Sequence, residues 1–329
     1  MLAYTNRHAR YFYRLLSRRA LLYTEMIHAR AALGKHAERE LGFHPRELPL
    51  AAQLAGYEIP PLLDAALECE RRGYSAVNLN IGCPSDKVRH GRFGACLMNE
   101  PQLVAAQVEA LITRLKIPLS VKCRLGVDDQ DYRRTLPLFL ARLRDAGCRE
   151  VIIHARTAVL AGLSPKQNRE VPPLDYPFVY AMRERFDDMH ISINGGITNL
   201  NDARDHLCCV DGVMLGRALL NRPTLLARVD SEIFGELPRD PSLPDLLHIE
   251  YAPYASKQQA AGVAAPPLLR PFINLFKGQP GGGKFRRVLA EAHATGLPLG
   301  EVLQRALACL ETPEYRRHSS PSATLLDTA

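Results

Sequence analysis

Cys83 stands in the run Asn80-Ile81-Gly82-Cys83-Pro84-Ser85. An apolar stretch ends there, Gly82 allows a turn, and Pro84 cannot extend a strand ladder, so the thiol is set at a fixed exit from a sheet. A thiol so placed can be a nucleophile, an acid or a small buried filler. Asn78 and Asn80 beside it favour a functional role, whereas Cys96, followed by Leu97 and Met98, reads as core. Lys122, in Ser120-Val121-Lys122-Cys123-Arg124, points inward from an apolar strand, where an ammonium must find a negative partner or lose basicity. It could form a Schiff base or stabilise an anionic cofactor. In Ile152-Ile153-His154-Ala155-Arg156 the histidine and arginine alternate on one face of a strand end. With Lys122 they gather positive charge and hydrogen-bond donors suited to a ligand carrying delocalised negative charge.

The elements that must position these groups are short β-rich runs separated by helical ones. Strands are expected at Leu22–Met26, Leu50–Ala55, Ala76–Ile81, Leu119–Lys122, Val151–His154, His190–Asn194 and Gly212–Leu215, with an eighth around Met1–Leu2. Amphipathic stretches such as Pro60–Arg72, Glu100–Leu115 and Arg133–Ala146 lie between them. Strand alternating with helix predicts βαβ units and a parallel sheet. Eight such units suggest an α/β fold of the (β/α)8 TIM barrel type. Gln53, Asn78, Asn80, Cys83, Lys122, Arg124, His154, Arg156, Asn194, Gly195, Gly196, Gly216 and Arg217 all fall late in a strand or just after one. That is the rim where barrels of this kind build their sites.

Asn194, Gly195 and Gly196 end the sixth run, and Gly216 and Arg217 the seventh. Barrels often bind phosphate between the loops after their last two strands, through backbone N–H groups at glycines. A phosphate site there, with an inward lysine, a histidine and the amide of Gln53, describes a planar phosphorylated cofactor lying across the barrel mouth. FMN fits: Lys122 can meet the negative charge that builds on the ring when it is reduced, and Gln53 can hydrogen-bond the ring. An ordinary thiol is mostly protonated at neutral pH, so a cysteine facing such a ring can donate a proton to a substrate.

Beyond Phe234 the texture changes. Gly235–Pro244 reads as a linker, Asp245–Leu310 as three or four helices, and the Ser-, Thr- and Pro-rich tail 312–329 as disordered. The expected division is a barrel over residues 1–235, a helical domain over 245–311, and the tail. Eight irregularly spaced cysteines without a Cys-x-x-Cys pair predict free thiols in a reducing cytoplasm and no metal site. Cys208 and Cys209, in an apolar stretch, read as core packing. No apolar run is long enough to span a membrane, and Met1–Arg19 lacks the apolar centre of a secretory signal. A formal charge of +7 permits a polyanionic partner without demanding one.

Asn78-Leu79-Asn80-Ile81-Gly82-Cys83-Pro84-Ser85-Asp86, Gly94-Ala95-Cys96-Leu97-Met98, Val121-Lys122-Cys123-Arg124-Leu125-Gly126, Ile153-His154-Ala155-Arg156 and Ser192-Ile193-Asn194-Gly195-Gly196-Ile197 occur in that order. Together they resemble the tRNA-dihydrouridine synthases. Gly162-Leu163-Ser164-Pro165-Lys166-Gln167-Asn168-Arg169-Glu170 with Pro172-Pro173-Leu174-Asp175-Tyr176 is similar to the A-type branch, which modifies positions 20 and 20a. The resemblance covers about residues 1–287.

The resemblance implies FMN-dependent reduction of the C5–C6 double bond of a D-loop uridine. Hydride would pass from FMN N5 to C6, Cys83 would protonate C5, and NADPH would serve as reductant. Met1, Gln53, Lys122, His154, Asn194, Gly195, Gly196, Gly216 and Arg217 would hold FMN. The tRNA would be met by Asn80, Lys87, Arg89, Arg92, Arg156, Lys166, Asn168, Arg169, Arg286 and Arg287, mostly through phosphate contacts. The enzyme would act as a monomer. Against the family pattern the first strand is expected to be truncated, Ala3 and Asn6 stand where acidic residues are usual, and Pro271 stands for a histidine. Two other readings predict different behaviour. A flavin barrel acting on a free pyrimidine would turn over uracil or dihydroorotate and ignore loss of the helices. A non-catalytic tRNA-binding protein would carry no flavin.

Overall fold

The computed structural model describes residues 4–310, apart from residues 86, 87, 89 and 240. Seven parallel strands form one sheet: β1 (Leu22–His28), β2 (Leu50–Ala55), β3 (Ala76–Ile81), β4 (Leu119–Arg124), β5 (Glu150–His154), β6 (His190–Asn194) and β7 (Gly212–Met214). Their spatial order is their chain order. A doubly wound sheet would reverse direction partway, so this order is barrel winding. The expected eighth strand around Met1–Leu2 lies outside the described residues, among which the sheet has seven strands.

Period-two alternation divides the strands into two faces. The register pairs Gln53 with Asn78, Asn80 with Lys122, Arg124 with His154, and His154 with Asn194, which places the polar set on one face. Leu54, Leu79, Val121, Cys123, Ile153 and Ile193 alternate with them and are almost wholly buried. The intervening helices are α1 (Arg7–Leu16), α2 (Ala29–Ala32), α3 (Ala37–Leu41), α4 (Ile59–Arg71), α5 (Pro101–Ile112), α6 (Tyr132–Asp145), α7 (Tyr176–Arg185), α8 (Leu200–Leu207), α9 (Arg217–Asn221) and α10 (Leu226–Glu232). Asn6 caps α1 by accepting from the His8 and Ala9 amides at 3.0 and 2.9 Å.

The C-terminal helices are α11 (Leu243–Asp245), continued by a π-helical stretch Leu246–Tyr251 into α12 (Ala252–Ala260), then α13 (Ala265–Leu269), α14 (Gly282–Thr295) and α15 (Leu299–Leu307). They share one apolar core with the barrel, through Phe12, Leu16, Tyr251, Leu268 and Phe272. Tyr11 stacks on Tyr254 with ring centroids 3.8 Å apart, and His8 Nδ1 shares a 2.7 Å hydrogen bond with the Tyr254 hydroxyl. The expected tail over 312–329 lies outside the described residues. Among the described residues no helix is long and apolar enough to cross a membrane.

Candidate active site at the sheet mouth

Cys83 leaves β3 in a loop whose backbone is tied at both ends. Its amide and that of Gly82 donate to Asn80 Oδ1 at 3.0 and 3.1 Å, and its carbonyl accepts from the Ala95 amide at 2.9 Å. Gly94 makes that approach possible: its φ is +74°, and a Cβ there would lie 2.6 Å from the Cys83 carbonyl oxygen. The Cys83 side chain is half-buried, with its nearest polar partner the Ser85 hydroxyl at 3.6 Å. Sequence conventions alone would give the Gly94–Met98 segment no purpose; here it is the clamp that fixes the thiol.

Asn80 is itself held. Its amide donates to Gln53 Oε1 at 2.8 Å; Gln53 Nε2 donates to Asn78 Oδ1 at 2.8 Å; Asn78 Nδ2 donates to the Ser120 hydroxyl at 2.9 Å. This relay across β2, β3 and β4 leaves Gln53 one amide hydrogen and one lone pair for a ligand. Asn80, expected to meet tRNA, is here the residue that positions Cys83.

The cations next to this relay are under strain. Lys122 is only half-buried as a residue, and among the described residues its ammonium has no hydrogen-bond or ion-pair partner. Desolvation, with Arg124 alongside, lowers its pKa to about 8. His154 is buried, and burial together with Arg124, Lys122, Arg156 and Arg217 drives its pKa far below the usual histidine range, so the ring is neutral. Its Nδ1 is buried without a partner. A Cβ on Gly195, whose φ is +112°, would come within 3.1 Å of that ring, and the Gly195 carbonyl accepts from Tyr176 at 2.7 Å. Gly196, φ +76°, is similarly closed in by Tyr176 and Leu174. Asn194 donates to the Met214 carbonyl at 2.7 Å, which ties β6 to β7, and Gly216 directly precedes α9.

Over this mouth lies the segment 157–174. Arg124, named in the rim pattern but given no role, proves central. It is 4% exposed and donates to the carbonyls of Gly82, Thr157 and Asn168 at 3.2, 3.1 and 2.8 Å. One guanidinium thus joins the Cys83 loop to the overlying segment. The inward parity of Ser120, Lys122 and Arg124 was the signal available for it. Asn168 is fully buried; its amide donates to Val159 and Leu163 carbonyls and accepts from the Val159 amide. Its side chain is spent inside the segment, so the expected RNA contact gives way to a role in shaping the loop. Arg217 is likewise engaged, pairing with Glu170 at 2.8 Å and donating to the Arg169 carbonyl at 3.0 Å. Arg156 donates to the Pro172 and Glu170 carbonyls, while Arg156 Nε and Arg169 Nε are buried without partners. Lys166 is exposed on the same segment.

Arg92 sits on the β1–β2 side of the mouth, stacked on Tyr57. Arg286 and Arg287 are exposed on α14, in the helical part. Met1, Lys87 and Arg89 lie outside the described residues. Cys69, Cys123 and Cys148 are buried, and burial pushes their thiols up to about 12, 12 and 11. Cys208 and Cys209, expected in the core, are exposed, because they fall past the end of α8 rather than on its inner face. Among the described residues no group of three or more His, Cys, Asp or Glu side chains could hold a metal ion.

The mouth therefore pairs a fixed thiol with an excess of buried, incompletely satisfied cationic and neutral donors, a combination suited to a flat anionic ligand. The family model described as "Dihydrouridine synthase (Dus)" matches residues 1–309. Three proteins named tRNA-dihydrouridine(20/20a) synthase are close in sequence. One from Vibrio vulnificus is 45% identical over 311 residues, 94% of each chain. One from Vibrio cholerae is 44% identical over 310 residues, again 94% of each. One from Escherichia coli K12 is 46% identical over 310 residues, 93% of this chain and 89% of that protein. The match of motifs, fold and nearly the whole length places this chain in the dihydrouridine synthase family.

Proposed function

We propose that this protein reduces uridine in the D-loop of tRNA, at positions 20 and 20a, to dihydrouridine, with FMN as cofactor and NADPH as reductant. The observation that carries the reading is Cys83, held by Asn80 and Ala95 at the end of β3 beside the donors of β4 and β5. The residues present fit a flavin. Among the described residues the buried His154 Nδ1 and the Lys122 ammonium have no partner and suit an electron-rich ligand, and Gly195 and Gly196 put no side chain at the β6 exit. When bound, reduced FMN supplies the hydride.

The chain's own residues do the rest. Lys122 and His154 would hold the polar edge of the ring, and Gln53 would use its remaining amide hydrogen. Asn194, Gly195, Gly196, Gly216 and Arg217 would form the phosphate end, with Arg217 braced by Glu170. Cys83 would donate its proton to C5 of the uracil and recover one from solvent. The base must leave its stack to reach the thiol, which costs a few kcal/mol and least in a loop. Lys166, Arg169, Arg286 and Arg287 would meet phosphates of the tRNA. The reaction would run in the cytoplasm, where the eight cysteines remain thiols.

The test is incubation of the flavin-loaded chain with NADPH and an unmodified tRNA transcript, followed by mapping of dihydrouridine. Product at positions 20 and 20a, absent with free uracil as substrate, is the expected outcome. Turnover of free uracil with an inert transcript would replace this reading with that of a free-pyrimidine reductase.

A further inference from the structure

On the β1–β2 side of the mouth lies a cleft of about 260 Å³ that the proposed chemistry does not use. Its walls come from the end of β1 and α2 (His28, Arg30), the β2–α4 connection (Tyr57, Glu58) and the segment after Cys83 (His90, Arg92). Its floor is fixed, because the fully buried Gln107 donates to the Gly56 and Tyr57 carbonyls at 3.2 and 2.8 Å. Arg92 stands over it with its guanidinium centre 4.0 Å from the Tyr57 ring centroid. Its backbone is left-handed, φ +54°, a conformation that costs free energy in a residue with a side chain. Hydrogen bonds to the Tyr57 hydroxyl at 2.5 Å and to Glu100 at 3.4 Å hold the guanidinium, yet 62% of the side chain stays exposed. Two residues on, Gly94 packs against Cys83, so the cleft and the thiol are built from one segment.

An exposed guanidinium held over an aromatic ring offers a planar cationic face beside it. Bases of single-stranded nucleic acid stack on such faces, and adjacent positive charge tracks the backbone. We propose that this cleft is a subsite for a nucleotide neighbouring the target uridine, its base stacked on the Arg92–Tyr57 pair and its phosphate on the Arg30 side, where it would compete with Glu58 for the Arg30 guanidinium. This rests on the reading of the chain as a tRNA-modifying enzyme. Position favours the polynucleotide over the dinucleotide reductant. The cleft adjoins the Cys83 loop on the β1–β2 side, and the proposed phosphate end lies at the exits of β6 and β7. An RNA strand threading its base between those two ends must continue past one of them.

The experiment measures the Kd of the flavin-loaded chain for an unmodified tRNA transcript as a function of salt, together with the rate of flavin bleaching by NADPH. Arg92→Ala and Tyr57→Ala are each expected to weaken transcript binding about tenfold, and Arg30→Ala to lower the salt slope by about one. Tyr57→Phe, which keeps the ring and loses the hydroxyl, is expected to bind within about twofold of wild type. Unchanged binding by Arg92→Ala, whose exposed side chain can be removed without disturbing the core, would overturn the proposal. So would a loss in Tyr57→Phe as large as in Tyr57→Ala, since the hydroxyl network rather than the stacking face would then be at work. Intact tRNA binding with slowed bleaching would assign the cleft to the dinucleotide instead. A wild-type chain that reduces its flavin but does not bind the transcript would overturn the subsite and the functional reading together.

Discussion

At the scale of single residues, Cys83 and Lys122 make opposite demands on their surroundings. Cys83 needs a fixed position and little else, and among the described residues its thiol has one side-chain hydrogen bond, to Ser85. Cys83→Ala is therefore expected to keep flavin and tRNA binding while dihydrouridine formation falls by about 10²–10⁴-fold, the usual worth of a positioned acid. Product analysis alongside a binding isotherm checks it, and wild-type yield would remove Cys83 from the chemistry. Lys122 needs a partner that the chain does not provide. With its pKa lowered to about 8 from 10.5, the flavin-free folded chain binds fewer protons than the unfolded chain between those values. The destabilisation is complete below pH 8 and fades as pH rises to 10.5. Lys122→Met should make the flavin-free chain more stable by up to about 3 kcal/mol at pH 7, with the gap closing towards pH 10.5. Denaturant titrations across that range read it directly, and a pH-independent gap would show that the ammonium is not desolvated. The thiol, the lysine and the histidine were legible in the sequence because strand parity and strand-end placement single them out. Asn168 was not. Only its location inside the 157–174 segment reveals that its amide is consumed there.

At the scale of elements, strand positions followed from apolar runs bounded by turn residues, and β2, β3 and β6 fall where those runs predicted. Neighbouring boundaries moved by one to two residues where a polar inward residue continues a strand, as Arg124 does for β4. The overlying segment was harder to read, because it is organised by buried polar bonds and not by periodicity. Asn168→Ala would leave the Val159 amide and carbonyl without their partners, at a cost of about 1–3 kcal/mol. Because Arg124 ties the same segment to Gly82, the loss should appear as faster amide exchange at residues 157–171 and as a lower kcat. Unaltered exchange there, with reduced tRNA affinity, would instead restore Asn168 as an RNA contact. The exposure of Cys208 and Cys209 has the same lesson: an apolar neighbourhood in sequence does not say which way the turn after a helix faces.

At the scale of the whole molecule, the expected division into barrel and helical domain meets a continuous core. The stacked pair Tyr11–Tyr254 and the edge-on pair Phe12–Phe272, 4.8 Å apart, fasten α1 to the C-terminal helices. Such contacts join residues more than 240 positions apart, and no local pattern encodes them. They set the C-terminal helices against α1 within one apolar core, and α14 carries Arg286 and Arg287 exposed. The most direct test of the account is a single turnover. The flavin-loaded chain is reduced with NADPH without air, freed of excess reductant, and mixed with unmodified tRNA while flavin absorbance is followed. The account predicts return of the oxidised bands with one dihydrouridine formed per flavin, at position 20 or 20a, and no return with free uracil. A flavin that stays reduced with tRNA present, or that is reoxidised by free uracil alone, would contradict it.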